Sequence, residues 1–259
     1  MIIKHLLELL FPSSIYCISC RSIIDNSRAY ALCDRCMNMF HWANGRTCEK
    51  CGKILQDHYM HEICTDCREN AHDFEKGYTC VQYGIHERDL LLSFKYGGKA
   101  YIGEKIAEIM ADRIENEDLE IDLIIPVPMH KSKQKERGYN QAEIIAKHLA
   151  KKLSLPCSAK LLLRTGKTVA MSGLSPFERR MNMENAFSIT ERAAEKAKGK
   201  RILLVDDIYT TGSTVSACSQ MLMAKGAREV RVITFAAGAN RLKFEQDGIE
   251  SMPGVVRCE

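Results

Sequence analysis

Beyond residue 77, short aliphatic runs alternate with helical stripes. Tyr78–Tyr83 reads as a strand, and His86–Tyr96 carries Leu90, Leu91 and Phe94 at helical spacing before Gly97-Gly98 stops it. Ile102, Ile106, Ile109, Met110 and Ile114 predict a second helix with one buried face. Leu123–Ile125 predicts a buried strand running into Pro126-Val127-Pro128, and Asn140–Leu153 an amphipathic helix. Leu161–Arg164 predicts another strand or its end. Ser175-Pro176-Phe177-Glu178 opens a helix, with Ser175 as N-cap and Glu178 closing a capping box. The polar segment Thr165–Leu174 before it is of the kind that makes a mobile lid. Arg201–Val205 and Val230–Ala236 are strand-length runs, separated by a helix over Val215–Lys225 that stops at Gly226. Strands alternating with helices over residues 78–239 predict an α/β domain with a mainly parallel sheet and flanking helices. Residues 240–259 are polar and read as an irregular tail.

Residues 1–72 follow another pattern. Met1–Phe11 predicts a short apolar helix, too short to span a bilayer and lacking the cleavage site of a secretion signal. Its apolar face predicts packing on the rest of the protein; docking on a membrane surface or partner is the other reading. Eight of the twelve cysteines then form four C-x-x-C pairs, and with no export signal a reducing, cytoplasmic compartment is expected. Two pairs separated by twelve residues, repeated in tandem, suit a tetrahedral ion that wants four soft ligands. The sequential assignment gives one zinc to Cys17, Cys20, Cys33 and Cys36, and a second to Cys48, Cys51, Cys64 and Cys67. A cross-braced pairing of alternate knuckles satisfies the same spacing. All-Cys sets leave no position for water, so both sites are expected to be structural. His41, His58 and His61 read as ordinary surface residues beside them, and RENAHDFEKG (68–77) as a linker.

Composition changes little: 46% hydrophobic and 27% charged residues describe an ordinary globular chain, not an integral membrane protein. Charge adds more. The first 79 residues carry nine Lys and Arg against ten Asp and Glu, so the rest of the chain carries 28 against 23, a net +5, which suits a phosphate-rich ligand.

Two stretches carry candidate chemistry. Asp206 and Asp207 follow the Arg201–Val205 strand, then come Thr210-Thr211-Gly212-Ser213-Thr214 and a helix. A helix start offers unpaired N–H groups to a phosphate, and two carboxylates can accept hydrogen bonds from vicinal hydroxyls. Taken singly, these residues read as a solvated turn and a helix cap rather than a binding site. The second stretch, MHKSKQKERGYNQA, places Lys131, Lys133, Lys135 and Arg137 in a loop just past a strand end. There they meet an anion if both strands run parallel.

ILLVDDIYTTGST (202–214) resembles the phosphoribosyl-pyrophosphate (PRPP) signature of type I phosphoribosyltransferases. With the double C-x-x-C ribbon, FKYGGK (94–99), IIPVPMHKSKQKERGYNQA (124–142) and LLRTGKTVAMSGLSPFERRMNMENAF (162–187), the chain resembles the ComF family of competence-associated proteins. The resemblance implies a type I phosphoribosyltransferase-like domain behind a zinc ribbon. It places the ribose hydroxyls on Asp206 and Asp207 and the 5′-phosphate in Thr210, Thr211, Gly212, Ser213 and Thr214. Pro126, Val127, Pro128, His130, Lys133, Arg137 and Gly138 would form the pyrophosphate side, with Thr165–Asn182 a flexible hood. Mg²⁺ would accompany PRPP, and a catalytic member would be a phosphoribosyltransferase of unknown acceptor acting in DNA uptake. The alternative is a non-catalytic PRPP or nucleotide sensor, or a docking module for single-stranded DNA. A DNA-uptake helicase or membrane channel is the candidate partner, at the inner face of the membrane. Lys133 and Met171 stand where relatives usually carry Arg and Gln. Glutamine PRPP amidotransferase shares the loop but needs an N-terminal nucleophilic Cys, where this chain has Met1-Ile2.

Overall fold

A computed structural model describes residues 15–166 and 186–240. The expectations for Met1–Phe11, for residues 167–182 of the lid and hood (Met171 and the helix opened by Ser175 included) and for residues 241–259 lie outside the described residues.

Among the described residues the main sheet has four strands in the order β1-β6-β5-β2, every neighbour parallel: β1 (Gly77–Gln82), β2 (Leu123–Pro126), β5 (Arg201–Tyr209) and β6 (Glu229–Ala237). Leu203, Val205, Ile233 and Phe235 pack on one face, while Ile202, Leu204, Val230 and Val232 pack on the other. Burial on both faces is why these strands read as continuous aliphatic runs. The first face is covered by α3 (Ile85–Tyr96), α4 (Ile102–Ile114) and α6 (Gln141–Leu153), the second by α8 (Ser213–Ala224).

The run Leu161–Arg164 does not join this sheet. The edge of β2 is already occupied: Ile124 N–H donates to the Pro156 carbonyl and Ser158 N–H to that of Ile124, each at 2.9 Å. Leu161 and Leu162 are instead buried in the core, and β3 (Leu163–Arg164) pairs antiparallel with β4 (Phe187–Ser188). A short helix α7 (Glu191–Ala197) precedes β5.

The cysteine-rich region is built into the same cores. Cys17, Ile18, Leu32 and Phe40 pack with the α4 face, whereas Cys48, Cys51, Leu55 and Tyr59 pack with the α8 face. Between the two ribbons the chain lies antiparallel along β1: Trp42 bridges Val81, Ala43 N–H donates to the Cys80 carbonyl, and Gln82 N–H to that of His41. The module thus closes one edge of the sheet. His41, expected as a bystander, also donates its N–H to the fully buried Glu87 carboxylate. Residues 68–77, expected as a linker, are packed: Phe74 is 1% exposed, and Glu75 N–H donates to the Val230 carbonyl. Asn240, where the irregular tail was expected to begin, is buried, and its side-chain oxygen accepts from Thr65 N–H.

Candidate functional site

The two cysteine sets gather as sequential clusters, with all ligand atoms of each within 4.8 Å of one another. Cys20 and Cys33 sulfurs lie 3.6 Å apart, as do those of Cys51 and Cys64. A tetrahedral Zn–S distance of about 2.3 Å sets sulfurs about 3.8 Å apart, so both clusters fit zinc. The two ribbons repeat each other closely. Cys33 N–H points at the Cys17 sulfur and Cys64 N–H at the Cys48 sulfur, from the starts of α1 (Asp34–Met39) and α2 (Thr65–Glu69). The residue after the first knuckle is left-handed in each, Arg21 (φ 67°) and Gly52 (φ 76°). Only the second must be glycine, because a Cβ there would stand 2.8 Å from the Gly77 carbonyl oxygen of β1.

β5 does not end at Val205; it carries both carboxylates within the strand. β6 sustains it through Asp206↔Thr234, Ile208↔Ala236 and Tyr209↔Ala237, whereas pairing with β2 stops at Pro126↔Val205. Asp206 and Asp207 therefore stand where β5 outlasts its neighbour, at the carboxyl edge of the sheet. Asp207 is neutralised by Lys95, near the end of α3, with Nζ 2.6 Å from its Oδ2. Asp206 accepts from the Asp207 N–H at 2.9 Å. Burial, and then the charge of Asp207, push the Asp206 carboxyl well above the usual carboxylate range, with Lys95 opposing.

Because the folded chain holds that proton more tightly than the unfolded one, the stabilisation is complete below the ordinary carboxylate pKa. It is lost as pH rises through the folded value. Asp206→Asn removes the cost of ionising there. Its Tm at neutral pH is expected to rise, by about 2–4 °C for each kcal/mol relieved, and to depend less on pH. Calorimetric scans from pH 5 to pH 9 check this; a variant with an unchanged pH slope and no gain in Tm contradicts it.

Past the carboxylates, Gly212 (φ 79°) turns the chain into α8. Neither Ser213 nor Thr214 caps that helix: Gly212 holds the N-cap position, and no side chain among the described residues bonds to its first-turn N–H groups. Thr210 and Thr211 are exposed, and the Thr211 and Ser213 hydroxyls lie 2.9 Å apart.

The basic stretch predicted as a loop is mostly a helix, α5 (Lys131–Arg137). His130 caps it, accepting from Ser132 N–H through Nδ1, and left-handed Gly138 (φ 85°) ends it. Pro126, Val127 and Pro128 are buried at the end of β2, with Val127 N–H donating to the Val205 carbonyl one residue before the acidic pair. Lys131, Lys133 and Lys135 are exposed. Arg137 lies over the Tyr96 ring at 5.0 Å and donates to its hydroxyl at 3.0 Å. Lys95 and Tyr96, adjacent on α3, thus connect the acidic pair to Arg137. Asn140 caps α6 and donates to the Val127 carbonyl, fixing the start of α6 to the end of β2.

Lys95 is the site residue that the sequence reading missed. The signal was a cation just ahead of Gly97-Gly98 at the end of a helix, but the spacing does not say which strand that end meets. Gln141, at the helix entry beside Arg137, has a buried side chain with Oε1 3.4 Å from Arg137 and, among the described residues, no hydrogen-bond partner for Nε2. Cys80 and Cys218 are buried thiols pushed up by desolvation, Cys80 to about 12, which makes them poor nucleophiles. A cavity of about 450 Å³ lies at the opposite edge, lined by Ile114, Leu119 and Leu153, far from this chemistry.

The family model described as "Phosphoribosyl transferase domain" matches residues 99–254, and "Double zinc ribbon domain" matches residues 6–68. Competence protein F of Haemophilus influenzae is 30% identical over 221 residues, covering 83% of this chain and 94% of that protein. The chain belongs to the ComF family. Competence protein ComFC of Bacillus subtilis is 26% identical over 202 residues, covering 75% of this chain and 79% of its own. DNA utilization protein YhgH of Escherichia coli O157:H7 is 27% identical over 190 residues, 71% of this chain and 81% of its own. The fold is accordingly that of the type I phosphoribosyltransferases, preceded by a double zinc ribbon with two Cys₄ sites. Among the described residues no helix of this ComF chain is long and apolar enough to cross a membrane.

Proposed function

We propose that the chain binds PRPP with Mg²⁺ at the carboxyl edge of its sheet and serves the handling of incoming DNA. The names competence protein F and DNA utilization protein support the second part. One observation carries the first: two half-buried carboxylates, on the reach of β5 beyond its pairing with β2, precede a helix start that is opened by a left-handed glycine and that no described side chain caps. The first-turn N–H groups and the hydroxyls of Thr210, Thr211, Ser213 and Thr214 take the 5′-phosphate. Asp206 and Asp207 accept from the ribose hydroxyls, and the Pro126–His130 segment with α5 and Arg137 faces the pyrophosphate.

Lys95, paired with Asp207, becomes available to the pyrophosphate once ribose hydroxyls take its place on that carboxylate. Mg²⁺, a hard cation suited to these carboxylates and to phosphate oxygens, supplies charge neutralisation when bound. In the transferase reading, an amine or base nitrogen attacks the anomeric carbon as its bond to pyrophosphate breaks. The carboxylates then stabilise the positive charge that develops on the sugar. The exposed Lys131, Lys133 and Lys135 favour a second reading, single-stranded DNA bound along α5 without turnover.

Calorimetric titration of the zinc-loaded protein with PRPP, with and without Mg²⁺, tests the proposal. Saturable heat that requires Mg²⁺ and strengthens with pH is expected, because ligand binding releases the proton held by Asp206. No heat in either titration means that the fold has kept its loop without its ligand, and the DNA-docking reading replaces it.

A further inference from the structure

The segment between the ribbons and the sheet brings the second zinc site into contact with the phosphate loop. Tyr209, the last residue of β5, runs its side chain beneath the loop and into the second ribbon. Its ring is buried, lies edge-on to Phe74 and His72, and sits under Lys53 Nζ at 5.5 Å. Lys53 is itself 2% exposed and paired with Asp66, beside the metal ligand Cys67. The Tyr209 hydroxyl stands 3.2 Å from His72 Nε2 and 3.9 Å from the Cys67 sulfur. A zinc-bound thiolate can only accept, so the chain of donors runs from His72 Nε2–H to the Tyr209 oxygen and from the Tyr209 O–H to Cys67.

The same hydroxyl touches the loop. A Cβ on Gly212 would lie 2.2 Å from the Tyr209 oxygen and 2.8 Å from His72 Cε1, so the loop backbone rests directly on this pair. Next to His72, Asp73 clamps the first turn of α8: its carboxylate accepts from Ser216 Oγ at 2.8 Å, and its N–H donates to the same oxygen. The loop is thus supported from below by the metal-binding ribbon, while the first ribbon packs on the opposite face of the sheet.

We propose that zinc at Cys48, Cys51, Cys64 and Cys67 holds the phosphate loop in its binding shape through Tyr209 and His72, which act as positioning residues. Metal at this site and a phosphate ligand on the loop are then coupled, each tightening the other by the same factor. The second half rests on the PRPP reading; the first half does not.

Tyr209→Phe keeps the buried ring and deletes the hydroxyl. The full chain loaded with cadmium is expected to show two metal resonances by NMR, of which the variant moves one. Amide exchange across Tyr209–Thr214 should quicken about tenfold, the factor that one hydrogen bond of ordinary strength carries. Melting and total metal content act as controls for folding. In the unmodified chain, PRPP with Mg²⁺ should move the same single resonance and slow the release of one of two zinc ions to a chelator. If Tyr209→Phe leaves both resonances and the loop exchange unchanged, the proposal is overturned. If the variant moves them while PRPP moves neither, the zinc–loop contact stands and the PRPP reading fails.

Discussion

Stripping both zinc ions from the full chain is expected to collapse far more than the ribbons. Metal binding contributes about 10–16 kcal/mol to the folding of a small Cys-rich module, comparable to the whole stability of a typical domain, about 5–15 kcal/mol. Here the modules are not appended. The first supplies Ile18, Leu32 and Phe40 to the core under α4, the second supplies Leu55 and Tyr59 to the core under α8, and the strip between them covers the edge of β1. Unfolding either ribbon opens one face of the sheet to water, and unfolding both also frees a strand edge. Circular dichroism and thermal melting after verified metal removal measure this: loss of near-ultraviolet signal and a Tm fall of at least about 10 °C are expected. A metal-free chain that keeps both its spectrum and its melting temperature shows that the cores hold without the clusters.

The double variant Asp206→Ala/Asp207→Ala is expected to lose PRPP binding almost completely. Each hydrogen bond from a ribose hydroxyl to a carboxylate carries about 1.5–3 kcal/mol, so removing both acceptors weakens binding at least about a hundredfold. Stability responds differently. Loss of the Asp206 carboxyl relieves a burial cost, while loss of Asp207 strands Lys95, whose side chain is 17% exposed. The two effects oppose, so Tm should move little while the calorimetric heat disappears. Inorganic phosphate, which needs only the loop and the start of α8, serves as the control and should bind equally to both proteins. PRPP affinity unchanged by the double substitution places the ligand elsewhere.

Much of this was legible in the sequence. The C-x-x-C pairs announce two four-thiolate sites, because ligand chemistry is local and four soft donors at short spacing have few other uses. The aliphatic strand runs and the stripes of α3, α4 and α6 were equally readable, since burial imposes its period directly on the residues. The DD-x-x-TTGST order placed carboxylates and a helix start next to each other for the same reason: they are neighbours in the chain.

What depends on partners far away in sequence was decided by the tertiary structure. The length of β5 follows from β6, which pairs with it through Tyr209 after β2 has ended. The fate of Leu161–Arg164 follows from Pro156–Ser158, which takes the β2 edge first. Lys95 finds Asp207 only because the end of α3 arrives at the carboxyl edge of β5. His72, Asp73 and Phe74 look like linker residues until β5 and α8 lie beside them. Local composition determines which elements form and which ligands a knuckle can hold. Which strand edge is free, which carboxylate is neutralised and which ribbon touches the loop are set by contacts across the chain, and no sequence window contains both sides of those contacts.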